Sequence, residues 1–186
     1  LQLTFLTQTT DGGYILAGYS NSPVSGDKSE ASVGSDDYWI VKLDGVGSVQ
    51  WDKTIGGSSI DQLKSIEQTV DGGYILGGES SSGISGDKTE SNGSQDYWVV
   101  KVDNSGIIEW QNTIGTSQSE FFSAMRQTND GGYILGGYST SGISGDKTEA
   151  AIGGYDFWVV KIDNTGSVLL DKTIGGTSHD RLDALE

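Results

Sequence analysis

The sequence predicts an all-β protein of β-propeller type, with four antiparallel strands in each repeated blade. Three observations predict it. First, every landmark recurs. DGGYIL begins at Asp11, Asp71 and Asp130, SGDK at Ser25, Ser85 and Ser144, and TIG at Thr54, Thr113 and Thr173, so the period is 59 or 60 residues. Second, each unit holds short apolar runs bounded by Asp-Gly, Gly-Gly and Asn-x-Gly turns, and no window carries a helical stripe. Third, the strongest run, Asp96 to Val102, is apolar at the adjacent positions Val99 and Val100. A strand turns adjacent residues to opposite faces, so both faces need cover. Stacked blades supply it.

The elements follow in order within the unit 61–119. Gln62 to Gln68 carries apolar residues only at Leu63 and Ile66, a mixed signal for the first strand. Val70-Asp71-Gly72-Gly73 is a turn, because Asp-Gly and Gly-Gly favour positive φ. Tyr74 to Gly78 is a short aromatic and β-branched strand, and its glycine pair suits close backbone approach. A long polar loop, Ser80 to Gln95, leads to the strand Asp96 to Val102. Asp103-Asn104-Ser105-Gly106 is a second tight turn, and Ile107 to Ile114 is the last strand.

The chain therefore divides into blade repeats 1–60, 61–119 and 120–179, with 180–186 as the first strand of a further blade. The tail Asp180 to Glu186 aligns with Asp61 to Glu67 and with the start, Leu1 to Thr7. A parallel β-helix is the rival, but its coils are shorter than this period. Propellers close with about four to eight blades. Three blades and a strand fall short, so the sequence predicts a piece of a longer repeat protein or, second, assembly with copies of itself. An open stack would leave edges exposed to aggregation.

Composition narrows the function. Of 186 residues, 29 are Gly, one is Pro and none is Cys, which excludes disulfides, thiol nucleophiles and thiolate metal sites. A formal charge of −15 argues against nucleic acid, whose phosphates need a positive surface. No apolar run reaches the ~18 residues of a membrane helix, so no membrane insertion is expected.

The string QTxDGGYILGGYS, SGISGDKTE and DYWVVKxDNxGxxxWxxTIGG resembles tandem repeats of large secreted and surface proteins in bacteria that use the type IX secretion system. That resemblance covers essentially the whole chain and implies an extracellular or cell-surface place and propeller or adhesin-like ectodomains. A second pattern, Asp44, Gly47 and Trp51, recurs as Asp103, Gly106 and Trp110. It is similar to the tryptophan-docking motif of quinoprotein-type propellers, which implies that the Trp of one blade packs on its neighbour. The third copy has Leu170 in the Trp position.

The sharpest chemical candidate is calcium. Asp27 and Glu30, Asp87 and Glu90, and Asp146 and Glu149 repeat in polar Gly-Asp loops, and Asp37, Asp96 and Asp156 lie nearby. Hard oxygen ligands in such loops suit Ca²⁺, although the spacing matches no EF-hand. The competing reading is turn chemistry, with Lys28, Lys88 and Lys147 balancing the charge. The aromatics Tyr14, Tyr74 and Tyr133, with Trp39, Trp98 and Trp158, either ring a ligand face or pack between blades, and burial energetics favour packing. Trp51 and Trp110 are structural by the same logic. Repeat symmetry is broken mainly at His179, Arg126, Arg181, Glu79 and Phe121-Phe122, none of which forms a catalytic set, so no enzyme and no catalytic residue is expected. A protein or glycan partner at the cell surface, contacted through loops on the rigid scaffold, is the expected function. A structural repeat unit is the alternative and a propeller-based hydrolase a remote one.

Overall fold

The structure, a computed structural model, describes residues 2–182. Blade 1 contains β1 (Gln2–Gln8), β2 (Tyr14–Ser20), β3 (Asp37–Leu43) and β4 (Val49–Ile55). Blade 2 contains β5 (Asp61–Gln68), β6 (Tyr74–Ser80), β7 (Asp96–Val102) and β8 (Ile108–Ile114). Blade 3 contains β9 (Glu120–Gln127), β10 (Tyr133–Ser139), β11 (Asp156–Ile162) and β12 (Val168–Ile174). Each blade is one four-stranded antiparallel sheet in sequence order, and the described residues form no helix. The three sheets do not close on one another. Of the expected final strand, residues 183–186 lie outside the described residues.

Local chemistry makes the two tight turns of each blade. The Asp71 carboxylate accepts from Thr69 Oγ1 at 2.5 Å and from the Gly73 N–H at 3.0 Å, while Gly72 takes φ 87°. Lys101 pairs with it at 3.0 Å, and these bonds hold the Asp71 carboxyl down at about 2. Asp103 accepts from the Ser105 and Ile107 N–H groups at 2.8 and 2.9 Å around Gly106, φ 82°. Both turns lie at one end of the sheet. The long loops and the connections between blades lie at the other.

The blades stack through two cores. In blade 2, Leu63, Leu76, Trp98 and Val100 face blade 1, where they meet Ile15, Tyr38, Ile40 and Ile55. Its opposite face, Ile75, Tyr97, Val99 and Ile114, meets Phe122, Met125, Trp158 and Val160 of blade 3. The two interfaces repeat each other. Tyr38 packs on Trp98 and Tyr97 on Trp158, both with ring centroids 5.0 Å apart. Their hydroxyls donate to the Trp98 and Trp158 carbonyls at 3.1 and 3.2 Å. The docking expectation also holds. Trp51 packs on Tyr74 and over Gly106 of blade 2, and Trp110 on Tyr133 and over Gly166 of blade 3.

The tail follows the path of the earlier connections. The Asp180 N–H donates to the Tyr155 carbonyl at 2.6 Å, as Asp61 does to Asp36 at 2.6 Å and Glu120 to Gln95 at 2.7 Å. At Asp180, therefore, the chain enters the position from which β5 and β9 start.

Candidate functional site

The repeated carboxylates hold backbone. Asp87 accepts from the Gly56 N–H at 3.1 Å, and its own N–H donates to the Gly56 carbonyl at 2.9 Å, a reciprocal staple from blade 2 to blade 1. Asp146 staples Gly115 of blade 2 in the same way, at 3.0 Å for both bonds. Burial pushes both carboxyls up. Asp27, the equivalent residue of blade 1, is exposed. Glu30 and Glu149 accept from the Thr54 and Thr173 N–H groups at 2.9 and 3.0 Å, and Glu90 from Thr113 at a longer 3.4 Å. Thus, of the residues proposed as calcium ligands, Asp87, Asp146, Glu30, Glu90 and Glu149 each hold a backbone amide. Among the described residues no group of three or more His, Cys, Asp or Glu side chains comes together.

The recurring aromatics are core where two blades meet. Tyr74, Tyr133, Trp98 and Trp158 are buried between blades, and Trp39 and Tyr14 are half-buried on blade 1. Lys28, Lys88 and Lys147 lie under the loops with their ammonium groups 5.5 to 5.6 Å from the Trp39, Trp98 and Trp158 ring centroids, a cation–π contact. Burial pushes all three lysines down.

Asp96 is buried beside this layer. One oxygen accepts from the Asn92 and Gly93 N–H groups, both at 3.1 Å, and the other has no partner. Burial raises its pKa from 3.8 to about 6, against the pull of Lys88. The folded chain then holds a proton that the unfolded chain releases between those values. Stability from this group is full below pH 3.8 and is lost as pH rises through about 6. The loss corresponds to about 3 kcal/mol. Asp96→Asn is expected to shrink the decline seen in urea titrations between pH 4 and 7 without removing it, because burial also pushes Asp87, Asp146 and Glu79 up. An unchanged slope would exclude Asp96 as its source.

At the loop end the blades differ from one another. Three positions meet there: the start of the first strand (Gln2, Gln62, Phe121), the end of the second (Tyr19, Glu79, Tyr138) and the residue before the third (Asp36, Gln95, Tyr155). Antiparallel pairing brings them together, with Gln2 opposite Tyr19, Gln62 opposite Glu79 and Phe121 opposite Tyr138. In blades 1 and 2 they form hydrogen bonds. The Tyr19 hydroxyl donates to Gln2 at 2.5 Å, Gln62 donates to Asp36 at 3.2 Å and Gln95 to Glu79 at 2.9 Å. Burial pushes the Glu79 carboxyl up.

In blade 3 the same positions form an aromatic platform. Phe121 stacks on Tyr138 with centroids 5.0 Å apart and planes at 15°, and Tyr155 stands edge-on to both at 5.5 and 5.2 Å. His179 packs on Tyr155 at 5.1 Å and accepts its N–H at 3.0 Å. The Arg181 guanidinium lies 5.4 Å from the Tyr138 centroid and 4.9 Å from that of Tyr155. The rings are half-buried, and His179 and Arg181 are exposed. Sequence comparison between repeats picks out Phe121, Glu79, His179 and Arg181 as asymmetric, but Tyr155 and the meeting of all these groups emerge only from the fold. An open cleft of about 500 Å³ at the turn end, between Lys42, Trp51 and Tyr74, recurs between blades 2 and 3 at about 190 Å³.

No protein-family model and no curated protein matches the sequence. Among solved structures the chain is similar to a protein of unknown function from Bacteroides caccae, with TM-score 0.50 and 12% identity over 95% of this chain and 48% of that one. The likeness is one of fold, and the chain spans about half the length of that neighbour.

Proposed function

We propose that the chain is a non-catalytic propeller-type repeat module of a secreted or cell-surface bacterial protein. It binds a glycan or protein partner through the blade 3 platform. The extracellular place rests on the repeat resemblance. The binding role rests on one observation: where the repeats diverge at the loop end, blade 3 replaces hydrogen-bonded polar pairs by Phe121, Tyr138 and Tyr155 under Arg181. Half-buried rings offer stacking area to a sugar face or an aromatic side chain, and the guanidinium adds a donor for a carboxylate.

A glycan array and a surface-protein pull-down test the reading, followed by titration of the best ligand against Tyr155→Ala and Arg181→Ala. Each variant is expected to weaken binding about tenfold or more with the melting midpoint held. A ligand that both variants bind unchanged would remove the platform from the function. Absence of any ligand would favour the structural reading, which the use of Asp87, Asp146, Glu30 and Glu149 on backbone also supports.

A further inference from the structure

We propose that the turn-end cleft between blades 1 and 2 is a binding site for a neutral pyranose sugar. The cleft measures about 500 Å³, within the range of about 300–1,000 Å³ usual for small-ligand sites. Blade 1 contributes Asp11 from its first turn, Lys42 from the end of β3, and Gln50 and Trp51 from β4. Blade 2 completes it with Tyr74 at the start of β6 and Asn104 in its second turn. The cleft lies between two blades, at the opposite end of the sheets from the blade 3 platform, so the two sites are separate.

The Tyr74 hydroxyl points to a ligand. Tyr74 is 1% exposed and lines the cleft, yet among the described residues no protein group hydrogen-bonds to its hydroxyl. A buried tyrosine ordinarily has such a partner. Tyr38 and Tyr97, in the two cores, find theirs in the Trp98 and Trp158 carbonyls. The Tyr74 oxygen is not sealed in the core either, where the orphaned side-chain atoms of the described residues belong to Asp37, Lys88, Asp96 and Asp156. It is left to whatever enters the cleft. Burial, with the Asp11 carboxylate nearby, pushes its pKa up to about 12, so the hydroxyl keeps its proton and can donate. Two amides at the rim also have capacity to spare. Gln50 accepts from Lys42 at 3.2 Å through Oε1 and leaves its NH₂ donors unused, and the exposed Asn104 amide is unused altogether.

The lining selects the class of ligand. Lys42 is buried and pairs with Asp11 and the Leu43 carbonyl, both at 2.9 Å, so its charge is already matched. The cleft therefore carries no net charge, and on a chain of −15 it offers nothing to a phosphate or a carboxylate. The half-buried Trp51 ring stands 6.1 Å from Tyr74 at 66° and supplies an aromatic wall for the C–H face of a sugar ring. Sugar hydroxyls both donate and accept, as do the Tyr74 hydroxyl and the Asn104 amide. A wholly apolar ligand would leave those groups unpaired at a cost. The copy between blades 2 and 3 provides the contrast. Lys101, Trp110 and Tyr133 recur there, but the volume is about 190 Å³ and Glu109, which takes Lys101 at 2.7 Å, replaces Gln50 and adds a negative charge. The sugar site is therefore assigned to the first cleft.

Saturation-transfer NMR on the 186-residue chain tests this, with the methyl α- and β-pyranosides of glucose, galactose and mannose and with N-acetylglucosamine as probes. At least one is expected to bind with a Kd on the order of 1 mM, as suits a ligand of so few atoms. Glucuronate and glucose 6-phosphate, which carry charge, are expected not to bind. Tyr74→Phe removes a hydroxyl that holds no protein bond, so the melting midpoint should be kept while affinity for that sugar falls about three- to tenfold. Asn104→Ala, at an exposed turn position, should act in the same direction. Tyr133→Phe in the smaller cleft and Tyr155→Ala in the platform should leave the affinity unchanged. The proposal is overturned if no probe binds at tens of millimolar. It is also overturned if the bound sugar ignores both Tyr74→Phe and Asn104→Ala. Loss of the sugar in Tyr155→Ala alone would assign it to the platform, and a preference for glucuronate would overturn the neutral class.

Discussion

Trp98→Ala is expected to lower the unfolding free energy by about 3–5 kcal/mol. The ring is fully buried on β7 and belongs to two sheets at once. It packs on Tyr38 of blade 1 at 5.0 Å, lies beneath the Lys88 ammonium at 5.6 Å and donates from Nε1 to Gln111 at 2.7 Å. Truncation would open a cavity whose walls are hydrogen-bonded sheets, which cannot collapse into it. Part of the cost is lost burial and part is the unfilled space. The loss would also strip the Lys88 ammonium, which has no hydrogen-bond partner, of the ring it faces. The informative comparison is Trp39→Ala. Trp39 sits at the same position in its sheet but is half-buried there, so its truncation should cost clearly less. Trp110 is half-buried over Gly166, and its removal should also cost less than that of Trp98. Urea unfolding measures all three. Equal losses at Trp39 and Trp98 would show that packing within a blade, and not between blades, holds the ring.

The architecture was legible because its signals are local or periodic. The period marks the blades, and DGG and DNxG build turns from bonds that span two to four residues, as at Asp71 and Asp103. The adjacent Val99 and Val100 declare a strand covered on both faces, and they are indeed buried against different blades. What escaped the sequence was the partner of each polar side chain. Asp87 reads as a turn residue or a metal ligand, yet its carboxylate reaches Gly56 in the preceding blade. Glu30 reads as a ligand beside Asp27, yet it caps Thr54 in its own sheet. These pairings cross 24 to 31 residues and depend on how blades stack, which loop composition does not encode. The site was half legible for the same reason. Phe121, Glu79, His179 and Arg181 stand out when the repeats are aligned, but Phe121 and Arg181 lie 60 residues apart and come together only because the chain re-enters the same position after each blade.

Gly78→Ala is expected to destabilise by about 3 kcal/mol or more, an unusual loss for a single added methyl. The reason lies in the first strand of the blade. Leu63 pairs with Gly78 and Ser65 with Gly77, so Lys64 is an extra residue and the strand bulges. The bulge presses the Gln62 carbonyl toward β6, and a Cβ at Gly78 would lie 2.1 Å from that oxygen and 2.6 Å from the Tyr38 hydroxyl of blade 1. The first neighbour is backbone held in a ladder. The second is tethered by its own bond to the Trp98 carbonyl, so neither can give cheaply. Gly72 provides the contrast. It has open space around its Cα but φ 87°, so Gly72→Ala should cost only about 1–2 kcal/mol of conformational strain. A loss below about 1 kcal/mol at Gly78 would mean that the bulge relaxes and that the close approach is not essential. The same geometry ties stability to the platform. At Gly137 a Cβ would lie 2.0 Å from the carbonyl oxygen of Phe121, the residue whose ring stacks on Tyr138. Gly137→Ala is therefore expected to displace that ring, and the fraction that still folds should bind platform ligands more weakly than the wild-type chain.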